Sequence, residues 1–225
     1  MSSLTSVAIA DSVIQLSDTI KILGVTLDSS LTMGPHTKAL SKSCFYHLRF
    51  FKQIMDYPMA VSVASALISS RLDYANSVLV SCPQKHIARL QRAQHALRVV
   101  TQRSTRFSPL TSTNLLEQLH WLPIEWQIRF KLASSTYKAI HTDNPPYLAD
   151  LLQHHKSIRF IRSSSSYLGL LDVPRHNLSL GSRAFRVSAL QVYDSLPLYI
   201  CQAQTLTSFR HHLETYYFQS AYPVP

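Results

Sequence analysis

Gln84-Lys-His-Ile-Ala-Arg-Leu-Gln-Arg-Ala-Gln-His-Ala-Leu-Arg-Val-Val-Thr101 is the stretch on which the fold class turns. Ile87, Leu90 and Leu97 recur at helical spacing, so the period of 3.6 predicts an amphipathic helix from about Gln84 to Thr101. On a helical wheel Lys85, Arg89, Arg92 and, further on, Arg103 fall within about 60° of one another, away from that apolar side. Upstream, Cys82-Pro83 stops a second helical run that Pro58 opens and that carries Ala64, Leu67, Ile68 and Leu72. Pro35 starts a third, reaching about Ile54, with Leu40, Phe45, Leu48 and Phe51 at three- and four-residue steps. Before it the texture is different. Val7 to Ile9 and Val13 to Leu16 read as a hairpin around Ala10-Asp11-Ser12, and Ile20 to Leu27 reads as one further β-rich run.

Downstream, residues 104–113 have loop composition, Leu115 to Leu119 reads as a short helix, and Pro123 opens a longer one through Trp126, Phe130, Tyr137 and Ile140. Asn144-Pro145-Pro146 ends it and presets a helix from Tyr147 to about His154. Residues 156–181, with serines at 163 to 166, read as an extended connection, with a strand expected at Leu168 to Val173. An Ala184 to Tyr193 segment, a turn at Leu196-Pro197 and a helix from about Thr205 to Ala221 complete the chain. The expected fold is mainly α: β-rich residues 1–30, a helical bundle over 31–155, and an irregular C-terminal region over 156–225 ending in a helix.

A chain of 225 residues with 46% hydrophobic content has ample material for a packed core. Its four glycines are too scattered for a phosphate-cradling loop or a dinucleotide fingerprint, which excludes Rossmann and P-loop enzymes. Twenty-two Lys and Arg against twelve acids give a net charge of +10, so an anionic partner is expected, nucleic acid first. Two blocks concentrate that charge. No carboxylate lies between Asp73 and Glu117, where Lys85, Arg89, Arg92, Arg98, Arg103 and Arg106 stand. Lys156, Arg159, Arg162, Arg175, Arg183 and Arg186 form the second block, with Asp172 its single acid. Arg and Lys among serine hydroxyls suit phosphate contacts. Three widely spaced cysteines do not form a secreted disulfide framework, and no leader or membrane-spanning run is read, so an intracellular protein is expected, nuclear or cytoplasmic and without a membrane partner.

Few residues carry catalytic chemistry. Two-metal sites need clustered carboxylates, and the nine Asp and three Glu are dispersed. Arg71-Leu-Asp-Tyr-Ala-Asn76 lies within a helical pattern and lacks a paired acid, so Asp73 reads as a helix-surface residue. Cys82 and His86 have the spacing of half a zinc site without a second half. No strained elbow for a serine nucleophile is present. Trp121 and Trp126 read as packing residues. No cofactor, metal or small-molecule substrate is expected.

Six strings occur in order: Ile22-Leu-Gly-Val-Thr-Leu-Asp28, Ser70-Arg-Leu-Asp-Tyr-Ala-Asn-Ser77, Leu119-His-Trp-Leu-Pro-Ile-Glu-Trp126, Asn144-Pro-Pro-Tyr-Leu148, Gly181-Ser-Arg-Ala-Phe185 and Ser195-Leu-Pro197. In this order and at these intervals the chain, from about Ser6 to Tyr222, resembles the C-terminal part of non-LTR retrotransposon (LINE) reverse transcriptases of the jockey, CR1 and L2-like groups. The resemblance implies that residues 1–30 correspond to the end of the palm, the following helices to the thumb, and the remainder to the region after the polymerase. It places the family's catalytic aspartates before Met1, so none is carried onto this chain. Tyr193-Asp194 stands where the family has Trp-Asn, and its C-terminal zinc knuckle has no counterpart here. The expectation is a catalytically incomplete piece of an RNA-directed DNA polymerase that binds RNA or an RNA-DNA hybrid without sequence preference. Lys85, Arg89, Arg92, Arg103, Arg106, Arg159, Arg162 and Arg183 are its expected phosphate contacts.

Overall fold

The computed structural model describes residues 6–9, 12–54, 57–97, 112–152 and 181–223. Four short strands, β1 (Ser6–Ile9), β2 (Ser12–Gln15), β3 (Thr19–Ile22) and β4 (Val25–Asp28), precede nine α-helices among the described residues. These are α1 (Gly34–Ile54), α2 (Tyr57–Asp73), α3 (Gln84–His95), α4 (Ser112–Gln118), α5 (Ile124–Thr142), α6 (Pro146–Ala149), α7 (Phe185–Asp194), α8 (Leu198–Cys201) and α9 (Leu206–Ala221). Single 3-10 turns at Asn76–Leu79 and Gly181–Arg183 complete the order. The protein is mainly helical, as its apolar spacing predicts.

The N-terminal strands form two separate two-stranded antiparallel ladders, β1 with β2 and β3 with β4. The Ile20 to Leu27 run is therefore a hairpin rather than one strand. Its register pairs Ile22 with Val25 and Ile20 with Leu27 around a two-residue turn. Leu23 and Gly24 both adopt positive φ, 45° and 81°, which gives the turn the twist that matches its flanking strands. Gly24 takes this conformation freely, whereas Leu23 is strained there and points 85% exposed into solvent. The strain is held by the Tyr74 hydroxyl, which donates 2.7 Å to the Leu23 carbonyl.

Asp28 then turns the chain into α1. Its carboxylate accepts from the Thr32 and Met33 amides, each at 2.9 Å, and from the Thr32 hydroxyl at 2.8 Å. Burial alone would raise its pKa, but these bonds to Thr32 and Met33 outweigh it and hold the carboxyl below its ordinary value. β4 packs on α1, where its Thr26 amide donates 3.4 Å to Nδ1 of the buried His36.

Two apolar cores lie along the helices. The first gathers Cys44, Leu48 and Phe51 of α1, Ile68 and Leu72 of α2, Ile87 and Leu90 of α3, and Ile124, Ile128 and Leu132 of α5. The second is aromatic: Ala133 and Tyr137 of α5 pack with Leu190 and Tyr193 of α7, Ile200 of α8, and Phe209, Leu213 and Tyr217 of α9. Tyr137 stacks on Phe209 at 4.2 Å between centroids and its hydroxyl donates to the Ala203 carbonyl. Helix α5 supplies residues to both cores. Its start is fixed by α3: with Pro123 as N-cap and no capping side chain, the Ile124 amide is satisfied at 2.9 Å by Gln91 Oε1. The fully buried Gln94 donates 3.0 Å to the Leu122 carbonyl beside it.

Several expected ends shift. The run from Pro58 breaks at Asp73, where Ala75 turns left-handed at φ 51° before the 3-10 turn. α3 ends at His95 rather than Thr101. α6 is the single turn Pro146–Ala149, and the rest of the helix expected to about His154 does not continue through Asp150–Leu152. The expected strand at Leu168 to Val173 and the serine-rich connection lie outside the described residues. No helix among the described residues is long and apolar enough to cross a membrane.

Candidate nucleic-acid interface

The first turn of α3 packs on the first turn of α1, and the contact is polar. Gly34 carries no side chain, and a Cβ there would stand 3.2 Å from His86 Cε1 and 3.2 Å from Thr32 Oγ1. That space admits His86, which is 5% exposed and has Nδ1 3.3 Å from Thr37 Oγ1. Arg89 closes the same corner. One of its Nη atoms lies 3.5 Å from the Gly34 carbonyl, 3.4 Å from Thr37 Oγ1 and 3.5 Å from His86 Nδ1. Arg89 is thus half-buried and turned inward, not free on the solvent side as the helical wheel predicts.

Arg183 joins this corner from the far end of the chain. It donates to the Leu31 carbonyl and lies close enough to Cys82 and His86 for its charge to be felt by both. His86 is held neutral: burial lowers its pKa first, Lys85, Arg89 and Arg183 push the same way, and Asp28 opposes them. Lys85 is exposed at the rim, and Arg92, also exposed, reaches back 3.4 Å to its own helix at the Ala88 carbonyl. The structure therefore ties Arg89 and Arg183 to the chain around the start of α1, at Gly34, Thr37 and Leu31, and leaves Lys85 and Arg92 exposed on α3. Arg103, Arg106, Arg159 and Arg162 lie outside the described residues.

A second basic surface lies outside the two blocks. The outer face of α1 exposes Lys38, Lys42 and Arg49, with Tyr46 at 65%, Phe50 at 43% and Phe45 at 36% exposed beside them. No hydrogen bond or ion pair engages these three cations among the described residues; the ion pairs there are Arg129–Glu125 and Lys131–Asp73. The signal is present in the sequence, since residues 29–55 contain no Asp or Glu.

The other chemistry-bearing residues have structural surroundings. Asp73 ends α2 exposed, with its carboxylate 2.6 Å from Lys131 Nζ. Trp126 packs at 5.1 Å from Tyr217 and carries Arg129 over its ring. Burial raises the thiol of Cys44 to about 11 and raises those of Cys82 and Cys201, so all three stay protonated at neutral pH. Cys82 and His86 gain no further ligands: no group of three or more metal-ligating side chains is assembled among the described residues.

Comparison with models of known families, with curated proteins and with solved structures gives no match to this chain.

Proposed function

We propose that these residues grip nucleic acid by its phosphates, without sequence preference, as a fragment of a LINE-type RNA-directed DNA polymerase that does not itself perform catalysis. The partner is RNA or an RNA-DNA hybrid, met inside the cell. The observation that carries the reading is the pair of exposed cations Lys85 and Arg92 on one face of α3, beside the corner where Arg89 and Arg183 bond the carbonyls of Gly34 and Leu31. Asp28, the acid whose charge is felt there, is occupied by the amides of Thr32 and Met33. The ordered strings quoted above support the polymerase ancestry. Sequence-independent binding of this kind acts through counterion release, so its strength falls with salt.

The test is fluorescence anisotropy of the full chain on a labelled RNA-DNA primer-template across a salt series. Lys85→Glu plus Arg92→Glu, both exposed, is expected to weaken binding and to flatten the slope of log K against log salt by about 1.4 to 1.8. An unchanged slope with circular dichroism intact contradicts the reading. Arg89 is unsuited to this test because its guanidinium is part of the packing.

A second reading, a remnant that needs a protein partner, is favoured by one observation. Leu16, Ile20, Ile22 and Leu23 are all exposed on or beside β3, which among the described residues pairs with β4 alone. A short strand with apolar side chains and an open edge is a pairing liability. Concentration-dependent aggregation relieved by Ile20→Lys plus Ile22→Lys, with no nucleic-acid binding at low salt, would support it over the first reading.

A further inference from the structure

We infer that the outer face of α1 binds single-stranded nucleic acid, its cations meeting the phosphates and its rings stacking on unpaired bases. This goes beyond the reading above by naming a second surface and a preference for strandedness, and it shares with that reading only an anionic partner.

The arrangement on the helix carries the inference. Lys38, Lys42 and Arg49 fall within about 40° of one another on the helical wheel, so they form one row along the axis, about 16 Å long at 1.5 Å per residue. Phe45 lies on one side of that row, Tyr46 and Phe50 on the other. Two of the rings have ring neighbours: Phe50 stands edge-on to Phe51 at 5.8 Å and 74°, and Tyr46 edge-on to His47 at 5.4 Å and 78°. A strand laid along the row places its phosphates on the cations and its bases toward the flanking rings. Base stacking on aromatic side chains is tolerant of sequence and needs bases that are not already stacked in a duplex.

Charge and geometry together select this occupant. An acid-free face excludes a basic partner, and a duplex would use the cations but leave the rings idle. An anionic membrane requires an apolar centre flanked by cations, whereas here the cations occupy the centre, where insertion of the rings would bury them.

The test uses the full chain with a short labelled oligouridine, an RNA duplex of the same length, and vesicles of phosphatidylserine with phosphatidylcholine. Oligouridine is expected to bind more tightly than the duplex. Tyr46→Ala and Phe45→Ala are each expected to weaken oligouridine binding roughly tenfold, with duplex binding unchanged. Tyr46→Phe, which keeps the ring, is expected to retain the affinity. Circular dichroism checks the fold. The inference is overturned if both alanine variants bind oligouridine as the parent does. It is equally overturned if their one effect is to abolish vesicle binding, or to abolish a dimer seen by sedimentation. Loss of the Lys85 and Arg92 dependence with the ring dependence intact would sink the earlier reading and leave this one standing.

Discussion

Helices α1 and α3 each present cations outward, yet they use them differently. In α3 the central cation, Arg89, turns in to the Gly34 carbonyl and Thr37 of α1. In α1 Lys38, Lys42 and Arg49 stay out, and Phe45, Tyr46 and Phe50 stay out with them. Charge on a helical wheel thus identifies a basic face, but the neighbour decides whether a given cation binds a ligand or holds the fold. The deciding neighbour here is the first turn of α1, where the missing side chain at Gly34 leaves room for the His86 ring, 3.2 Å from where a Cβ would stand.

The comparison breaks most visibly on stability. Leu90→Ala, on the fully buried side of α3, is expected to cost about 2 to 5 kcal/mol in urea unfolding. Tyr46→Ala on α1 should change stability by no more than about 0.5 kcal/mol. Next in size is the contrast between the two arginines. Arg89→Ala removes its bonds to α1 and is expected to cost about 1 to 3 kcal/mol, while Arg49→Ala lies within about 0.5 kcal/mol of the parent. Equal effects for the two would erase the distinction drawn between the faces.

Acid separates the faces in a further way. His86 and His36, at the contacts of α1 with α3 and β4, and His95 of α3 have pKa values lowered chiefly by burial. Below their unfolded value of about 6.5 the unfolded chain takes up protons that the folded chain does not, so stability falls as pH falls through that range. Asp28 acts lower down: its depressed pKa contributes stability above the unfolded carboxylate value, lost as pH drops through the folded one. Thermal unfolding by circular dichroism is expected to show the first loss as pH falls below about 6.5. His86→Gln should blunt it; an identical profile in that variant would remove His86 from the account. A modest loss is expected from Asp28→Asn, about 1 kcal/mol, because one side-chain oxygen still caps the turn before α1.

Much of this was legible in residues. The apolar steps Leu40, Leu48 and Phe51 give α1, and Thr205, whose hydroxyl accepts from the Ser208 amide at 3.1 Å, marks the start of α9 where the sequence predicts it. The β3–β4 hairpin was not legible, because Leu23-Gly24 lacks the Asn or Asp that usually announces such a turn, and its strain is held by Tyr74, 51 positions away. The end of α3 has no breaker in its sequence, so the pattern runs on past His95. At the candidate site, Lys85 and Arg92 were readable from periodicity. The inward turn of Arg89 and the arrival of Arg183 were not, since both depend on partners far along the chain.

The most direct measurement is photo-crosslinking of the full chain to a single-stranded RNA carrying 4-thiouridine, followed by tryptic mapping. Cleavage after Lys42 and Arg49 isolates Ser43-Cys-Phe-Tyr-His-Leu-Arg49, which holds two of the three exposed rings. The account predicts that this peptide carries the crosslinked nucleotide and loses it in excess salt. Crosslinks elsewhere in the chain, with residues 43–49 unmodified, would contradict it.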